Sequence, residues 1–190
     1  MPKIILSEIE KIIENKEIYH FKFNTNQLTK HKIWEDDFFR KMFEELNSKV
    51  NHCLYWFSVN DEKTGNLLKE LLDNQRDVLK SNGRTIPAIN KNVDSNILYV
   101  GVRKGGFRKY TIKNRKRVPA PLSSIAGRII QHLGYYDVGT TQGLQLNYWV
   151  NNIEIDVTLN IIEYPNLQDE FLYIIEKLYA IKLRPVFGKH

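Results

Sequence analysis

Two hydrophobic periods alternate along this chain. Spacings of three and four link Ile9, Ile12 and Ile13, then Trp34, Phe38, Met42, Phe43 and Leu46, then the leucines at 67, 68, 71, 72 and 79. The same spacing returns at Ile125, Ile129 and Leu133, and at Phe171, Ile174, Ile175 and Leu178. Each set predicts a helix with one buried face. Boundary residues agree: Ser7 with Glu10 forms a capping-box pattern, Ser123 or Ser124 can cap the fourth helix, and Asn82-Gly83 and Gly134 are suitable stops.

Between the helical stretches lie runs that predict strands. Cys53 to Val59 is continuously aromatic and aliphatic, as is Ile97 to Val102, and both read as mostly buried strands free to pair with each other. Leu144, Leu146, Tyr148 and Val150 alternate with polar residues, as do Ile153, Ile155, Val157, Leu159 and Ile161, with a hairpin turn expected at Asn151-Asn152. Residues 1–50 therefore read as an N-terminal helical extension, and residues 51–190 as the main domain, with a helical insertion over 64–96. The expected class is α+β, a small antiparallel sheet flanked by helices.

Composition adds an absence and a concentration. The sole cysteine, Cys53, excludes an internal disulfide framework and a multi-cysteine zinc site. The five histidines lack the close spacing of a histidine-built metal site. No apolar run approaches ~18 residues and no signal-peptide pattern opens the chain, so a soluble, cytoplasmic protein with no membrane partner is expected. The net charge is +6, and it comes from one segment. Arg103, Lys104, Arg108, Lys109, Lys113, Arg115, Lys116 and Arg117 stand within fifteen residues that contain no acid, so the remainder of the chain is slightly negative. Such a patch predicts contact with nucleic acid phosphates. Its plain alternative is a general electrostatic surface.

Downstream of the patch, Arg128 and His132 are four residues apart and share one helix face offset from the apolar stripe. A guanidinium binds phosphate oxygens and an imidazole moves protons near neutral pH, as phosphodiester cleavage requires. The plain reading is an exposed helix face with two unrelated polar residues, and on the spacing alone it is the stronger. Glu176 lies off its own apolar stripe, free to face either solvent or a site.

Taken in order, four elements resemble the GIY-YIG nuclease family. Cys53-Leu54-Tyr55 stands where the family has Gly-Ile-Tyr, and Tyr99-Val100-Gly101 stands for Tyr-Ile-Gly. Gly127 to Leu133, with Arg128 and His132, is similar to the family's arginine helix, and Glu176 with Leu178, Pro185 and Phe187 to its glutamate helix and C-terminal ending. The resemblance covers Asn51 to the C-terminus. It departs at Cys53, which replaces the first glycine, in the long gap between the tyrosines, and at Gly188, which occupies the place of an asparagine. Asn160, Lys189 and His190 are candidates for replacing that asparagine's support.

The resemblance implies hydrolysis of a DNA phosphodiester. Glu176 would hold one Mg²⁺, or Mn²⁺, the other ligands being waters and phosphate oxygens. Arg128 would bind the scissile phosphate, Tyr55 would orient or deprotonate the attacking water with Tyr99 beside it, and His132 would take the proton from Tyr55 or position the phosphate. Lys109 or Lys113 would aid the leaving oxygen, and the basic segment would grip flanking phosphates. The phenol of Tyr55 serves as a base only if neighbouring positive charge lowers its pKa or its proton leaves in concert. Double-strand cleavage with one site per chain takes two encounters or a homodimer. Two other functions fit the same residues: a binding module of this fold that has lost catalysis, and an RNA-directed nuclease.

Overall fold

The computed structural model describes residues 16–28, 33–107, 111–113, 116–118, 122–135, 142–150 and 153–188, with only the backbone of 111–113 and 116–118. Within them, strands β1 (Ile18–Asn24), β2 (His52–Val59), β3 (Ile97–Arg103) and β6 (Asp156–Tyr164) form a fully antiparallel sheet in the order β1-β6-β2-β3. Among the described residues four helices accompany it: α1 (Asp37–Ser48), α2 (Glu62–Ser81), α3 (Ser124–Leu133) and α4 (Asp169–Leu183). A second, two-stranded sheet pairs β4 (Thr111–Lys113) with β5 (Lys116–Val118). The expected α+β class with an antiparallel sheet and flanking helices is what the structure shows, and α2 is the helix expected between β2 and β3.

The sheet is buried on both faces, which is why β2 reads as an unbroken apolar run rather than an alternating one. Cys53, Tyr55, Phe57 and Val59 join β6 residues Val157, Leu159 and Ile161 in a large core shared with α1, α2 and α3. Leu54 and Trp56 face the other way, onto Ile175 and Tyr179 of α4. Helix boundaries follow local chemistry. Asp36, Asp61 and Ser123 each accept a backbone N–H from the first turn of the following helix, and Gly134 closes α3 with φ +95°.

Three expectations need correction. The N-terminal helical extension contains a strand: β1 pairs with β6 from Ile18↔Ile162 to Asn24↔Asp156, and α1 follows it. Alternation marks the strand, because Phe21 and Phe23 are buried while His20 and Lys22 are exposed. The predicted helix around Ile9 to Ile13 lies outside the described residues, as does the Asn151-Asn152 turn.

The alternating stretch from Leu144 to Val150 is not a strand. Gln145 takes a left-handed conformation (φ +53°), a 3₁₀ turn follows over Leu146–Tyr148, and Leu144, Leu146, Trp149 and Val150 are all buried. The turn is held from inside, where Trp149 Nε1–H donates to the Leu144 carbonyl at 2.6 Å. The second half of the alternation does become β6, beginning at Asp156 rather than Ile153.

Helix α4 is rotated from its expected apolar stripe. Leu172, Ile175 and Tyr179 are buried, whereas Ile174 is exposed. The rotation brings Glu176 to the boundary between α4 and the sheet, where its carboxylate accepts the backbone N–H of Val102 on β3.

Candidate active site

The site grows from the pairing of Tyr55 with Gly101 across β2 and β3. A Cβ built on Gly101 would come within 2.5 Å of Tyr55 Oη and 2.9 Å of Tyr99 Cε1, so the bare backbone lets both rings pass over this point. The two rings lie nearly parallel, at 20° with centroids 6.3 Å apart. Helix α3 closes over them, placing the His132 ring 4.6 Å from that of Tyr99 and 5.4 Å from that of Tyr55.

Hydrogen bonding fixes the state of His132. The Leu144 N–H donates to Nδ1 at 3.1 Å, so the neutral ring carries its proton on Nε2 and donates it to Tyr55 Oη at 3.0 Å. Full burial, and secondarily the charge of Arg128, hold the imidazole pKa well below the usual 6.5. This corrects two parts of the sequence reading: the pair does not lie on an exposed face, and the ring is neutral at neutral pH rather than poised to titrate there.

Arg128 makes the complementary contacts. Its Nε–H donates to Tyr55 Oη at 3.0 Å and Nη2 to Tyr99 Oη at 3.4 Å. Nη1 donates to Gln131 Oε1 at 3.1 Å and to the Gln142 carbonyl at 2.6 Å. Among the described residues, four of the five guanidinium N–H groups are thus engaged, and one on Nη2 remains for an incoming group. Burial works against this charge, but the phenol oxygens of Tyr55 and Tyr99 outweigh it and the guanidinium pKa is raised. Gln131 and Gln142, which set the plane of the guanidinium, were missed in the sequence. Only the three-residue spacing of Gln131 from Arg128 on one helix could have signalled the first.

Tyr55 is fully buried, and burial raises its pKa despite the opposing charge of Arg128. The phenol is therefore protonated in the resting protein. Its oxygen already accepts two N–H bonds, from His132 and Arg128, and with Nε2 protonated and Nδ1 bonded to Leu144 neither ring nitrogen is open to take the phenol proton, which corrects the expectation that His132 accepts it from Tyr55. Tyr99 is raised in the same way.

Glu176 arrives from the other face of the sheet. Burial raises its carboxyl pKa, with Lys177, Arg128 and the Val102 N–H opposing. Its charge acts in turn on Tyr55 and Tyr99. The structure therefore brings Tyr55, Tyr99, Arg128, His132 and Glu176 together at the edge of β3, with α3 on one side and α4 on the other. Glu176 stands apart from other ligating groups, since no cluster of three or more His, Cys, Asp or Glu exists among the described residues. One carboxylate fits a hard, hydrated cation that completes its shell with substrate oxygens, and does not fit a protein-caged ion.

The basic segment is only partly placed. Arg103 ends β3, and Lys104 bonds Asp169, which also accepts from His52 Nε2 at 2.6 Å. Beyond them the chain leaves at Phe107 and returns beside it at Ser123, the two being bridged at the start of α3. Lys113, Lys116 and Arg117 lie on the β4–β5 ladder, but their side chains, and all of Arg108, Lys109 and Arg115, fall outside the described residues.

The candidates for the missing asparagine separate. Asn160 Oδ1 bonds His20 Nδ1 at 2.7 Å, and its Nδ2 bonds Ser58 Oγ, so it serves the β1–β6–β2 interior rather than the tyrosine cluster. Lys189 and His190 lie outside the described residues. Gly188 has φ +119°, a conformation that favours glycine.

No protein-family model, curated protein or solved structure matches this chain. No described helix is long and apolar enough to cross a membrane.

Proposed function

We propose that the chain is a divalent-metal-dependent DNA endonuclease of GIY-YIG type. The observation that carries this reading is the convergence of two phenols, a guanidinium and a carboxylate from β2, β3, α3 and α4 at one sheet edge, in the order and with the residue types of that family's motifs. Mg²⁺ or Mn²⁺ held by Glu176 would supply charge neutralisation at the phosphoryl oxygens. The free Nη2–H of Arg128 would bind the scissile phosphate and stabilise its added charge in the transition state. Tyr99 sits beside that group and would orient the phosphate or the attacking water. Tyr55 would keep its proton and, through its bonds with His132 and Arg128, would hold the guanidinium in place for the phosphate, the attacking water losing its proton to solvent. The basic segment would hold flanking phosphates.

A second reading has specific support in the depth of Tyr55 and the near saturation of Arg128: a binding module of the same fold without catalysis. A supercoiled-plasmid assay with wild type and Glu176→Gln, in Mg²⁺, in Mn²⁺ and in excess chelator, separates them. Nicking or linearisation by wild type alone, abolished by chelator, is expected. DNA binding without cleavage under every metal condition would assign the binding module; unimpaired cleavage by Glu176→Gln would remove that carboxylate from the site.

A further inference from the structure

A groove of about 530 Å³ lies at the C-terminal end of α4, walled by that helix and residues 89–93. Its lining mixes apolar surface from Ile89, Ala180 and Ile181 with the exposed cations Lys91 and Arg184. Ile181 is 74% exposed, and neither cation takes part in an ion pair among the described residues. This volume suits a small-ligand pocket, and the lining combines apolar contact area with groups that attract anions.

The position of the groove gives it meaning. Glu176 and Ala180 stand four apart on one side of α4, and Arg184 caps the end of that helix in a left-handed conformation, so the groove begins about one turn beyond the glutamate. At 1.5 Å per residue the separation from Glu176 to Ala180 along the axis is about 6 Å. The same β3 edge bonds the Glu176 carboxylate at Val102 and the Val186 and Phe187 N–H groups at Ile97 and Leu98. The cluster and the groove thus stand at two ends of one edge, the basic segment leaving from the cluster end at Arg103.

We propose that this groove is a nucleotide subsite, taking a phosphate of the bound DNA strand on Lys91 and Arg184 and the adjoining deoxyribose against Ile89 and Ile181. The inference rests on the endonuclease reading and adds the path of the strand. The groove lies beyond Glu176 on that path, so the strand would reach it on one side of the cleavage point only. Phosphate contacts of this kind fix register without reading sequence.

The test measures binding of fluorescein-labelled DNA duplexes by anisotropy in chelator, across a salt series. The proteins are wild type, Lys91→Ala/Arg184→Ala and the charge-preserving Lys91→Arg/Arg184→Lys. The alanine variant is expected to bind about tenfold more weakly at 0.1 M salt and to have a log–log salt slope shallower by roughly two, with the charge-preserving variant near wild type. Shortening the duplex on the groove side so that it ends at the cleavage point should remove the difference between proteins. Firm wild-type binding with affinity and slope unchanged in the alanine variant would overturn the subsite alone. Absence of binding by wild type to any duplex would overturn the endonuclease reading and the subsite together.

Discussion

Lowering the pH through the range in which a free imidazole protonates should destabilise this protein through His132. The ring is fully buried, accepts the Leu144 N–H on Nδ1, donates from Nε2 to Tyr55, and has the Arg128 charge as neighbour. A second proton would have to enter at Nδ1 and would break the bond from Leu144. The unfolded chain binds that proton near pH 6.5, whereas the folded chain does not until well below it, so the unfolded state holds more protons between those values. The contribution is therefore complete above pH 6.5 and is lost as pH falls. Each unit below 6.5 over which the ring stays neutral costs about 1.4 kcal/mol. Glu176, whose carboxyl pKa is raised by burial, works in the opposite direction towards pH 5. Asp61, Asp156 and Asp169 are lowered from 3.8 and act below this window. Urea denaturation of wild type and His132→Gln at half-unit intervals from pH 7.5 to 5 isolates the histidine. The variant keeps a side-chain N–H and cannot titrate, so its stability should fall less, by about 1.4 kcal/mol for each unit below 6.5 over which the wild-type ring stays neutral. Parallel profiles for the two proteins would refute the argument.

Gly101→Ala should lower the urea stability by about 1–3 kcal/mol, because the added methyl falls on the Tyr55 and Tyr99 rings inside a packed core; an unchanged midpoint would mean the rings yield without cost. Gly188→Asn, which writes the family residue into its expected place, should destabilise by about 1–3 kcal/mol at φ +119° rather than raise cleavage. Thermal unfolding and the plasmid assay on that one variant report both parts. Under the endonuclease reading, the nicking assay should give no product from Glu176→Gln in either metal.

The residues of the cluster were legible because their types and order carry the resemblance, and because β2, β3, α2 and α3 declare themselves through runs, caps and stops. Their chemical state was not. Whether His132 titrates depends on burial of its ring between α3 and the sheet and on a backbone N–H twelve residues downstream, neither of which has a sequence signature. The same holds for the Gln142 carbonyl, since any residue can offer one. At Leu144 to Val150, alternation misled because a left-handed Gln145 and an internal Trp149 bond override a pattern that fits a strand equally well. In α4, aromatic Tyr179 takes a core place that an aliphatic stripe assigned elsewhere, and the exposed Ile174 and Ile181 blur the polar face. Strand β1 carried a readable alternation in Tyr19, Phe21 and Phe23, obscured by the helical signals on either side.

The order β1-β6-β2-β3 also constrains how the chain reaches this structure. The first described strand closes onto the last, Ile18 against Ile162, while β2 meets β6 only after about a hundred intervening residues. Contacts so distant in sequence must be gathered against chain entropy, which makes folding slow relative to a helical protein of this length. During synthesis, β2 and β3 can pair early, but β1 has no partner until Tyr164 has left the ribosome. Phe21 and Phe23 spend that interval without their core, so β1 is the segment on which a folding chaperone or a premature strand pairing would act first.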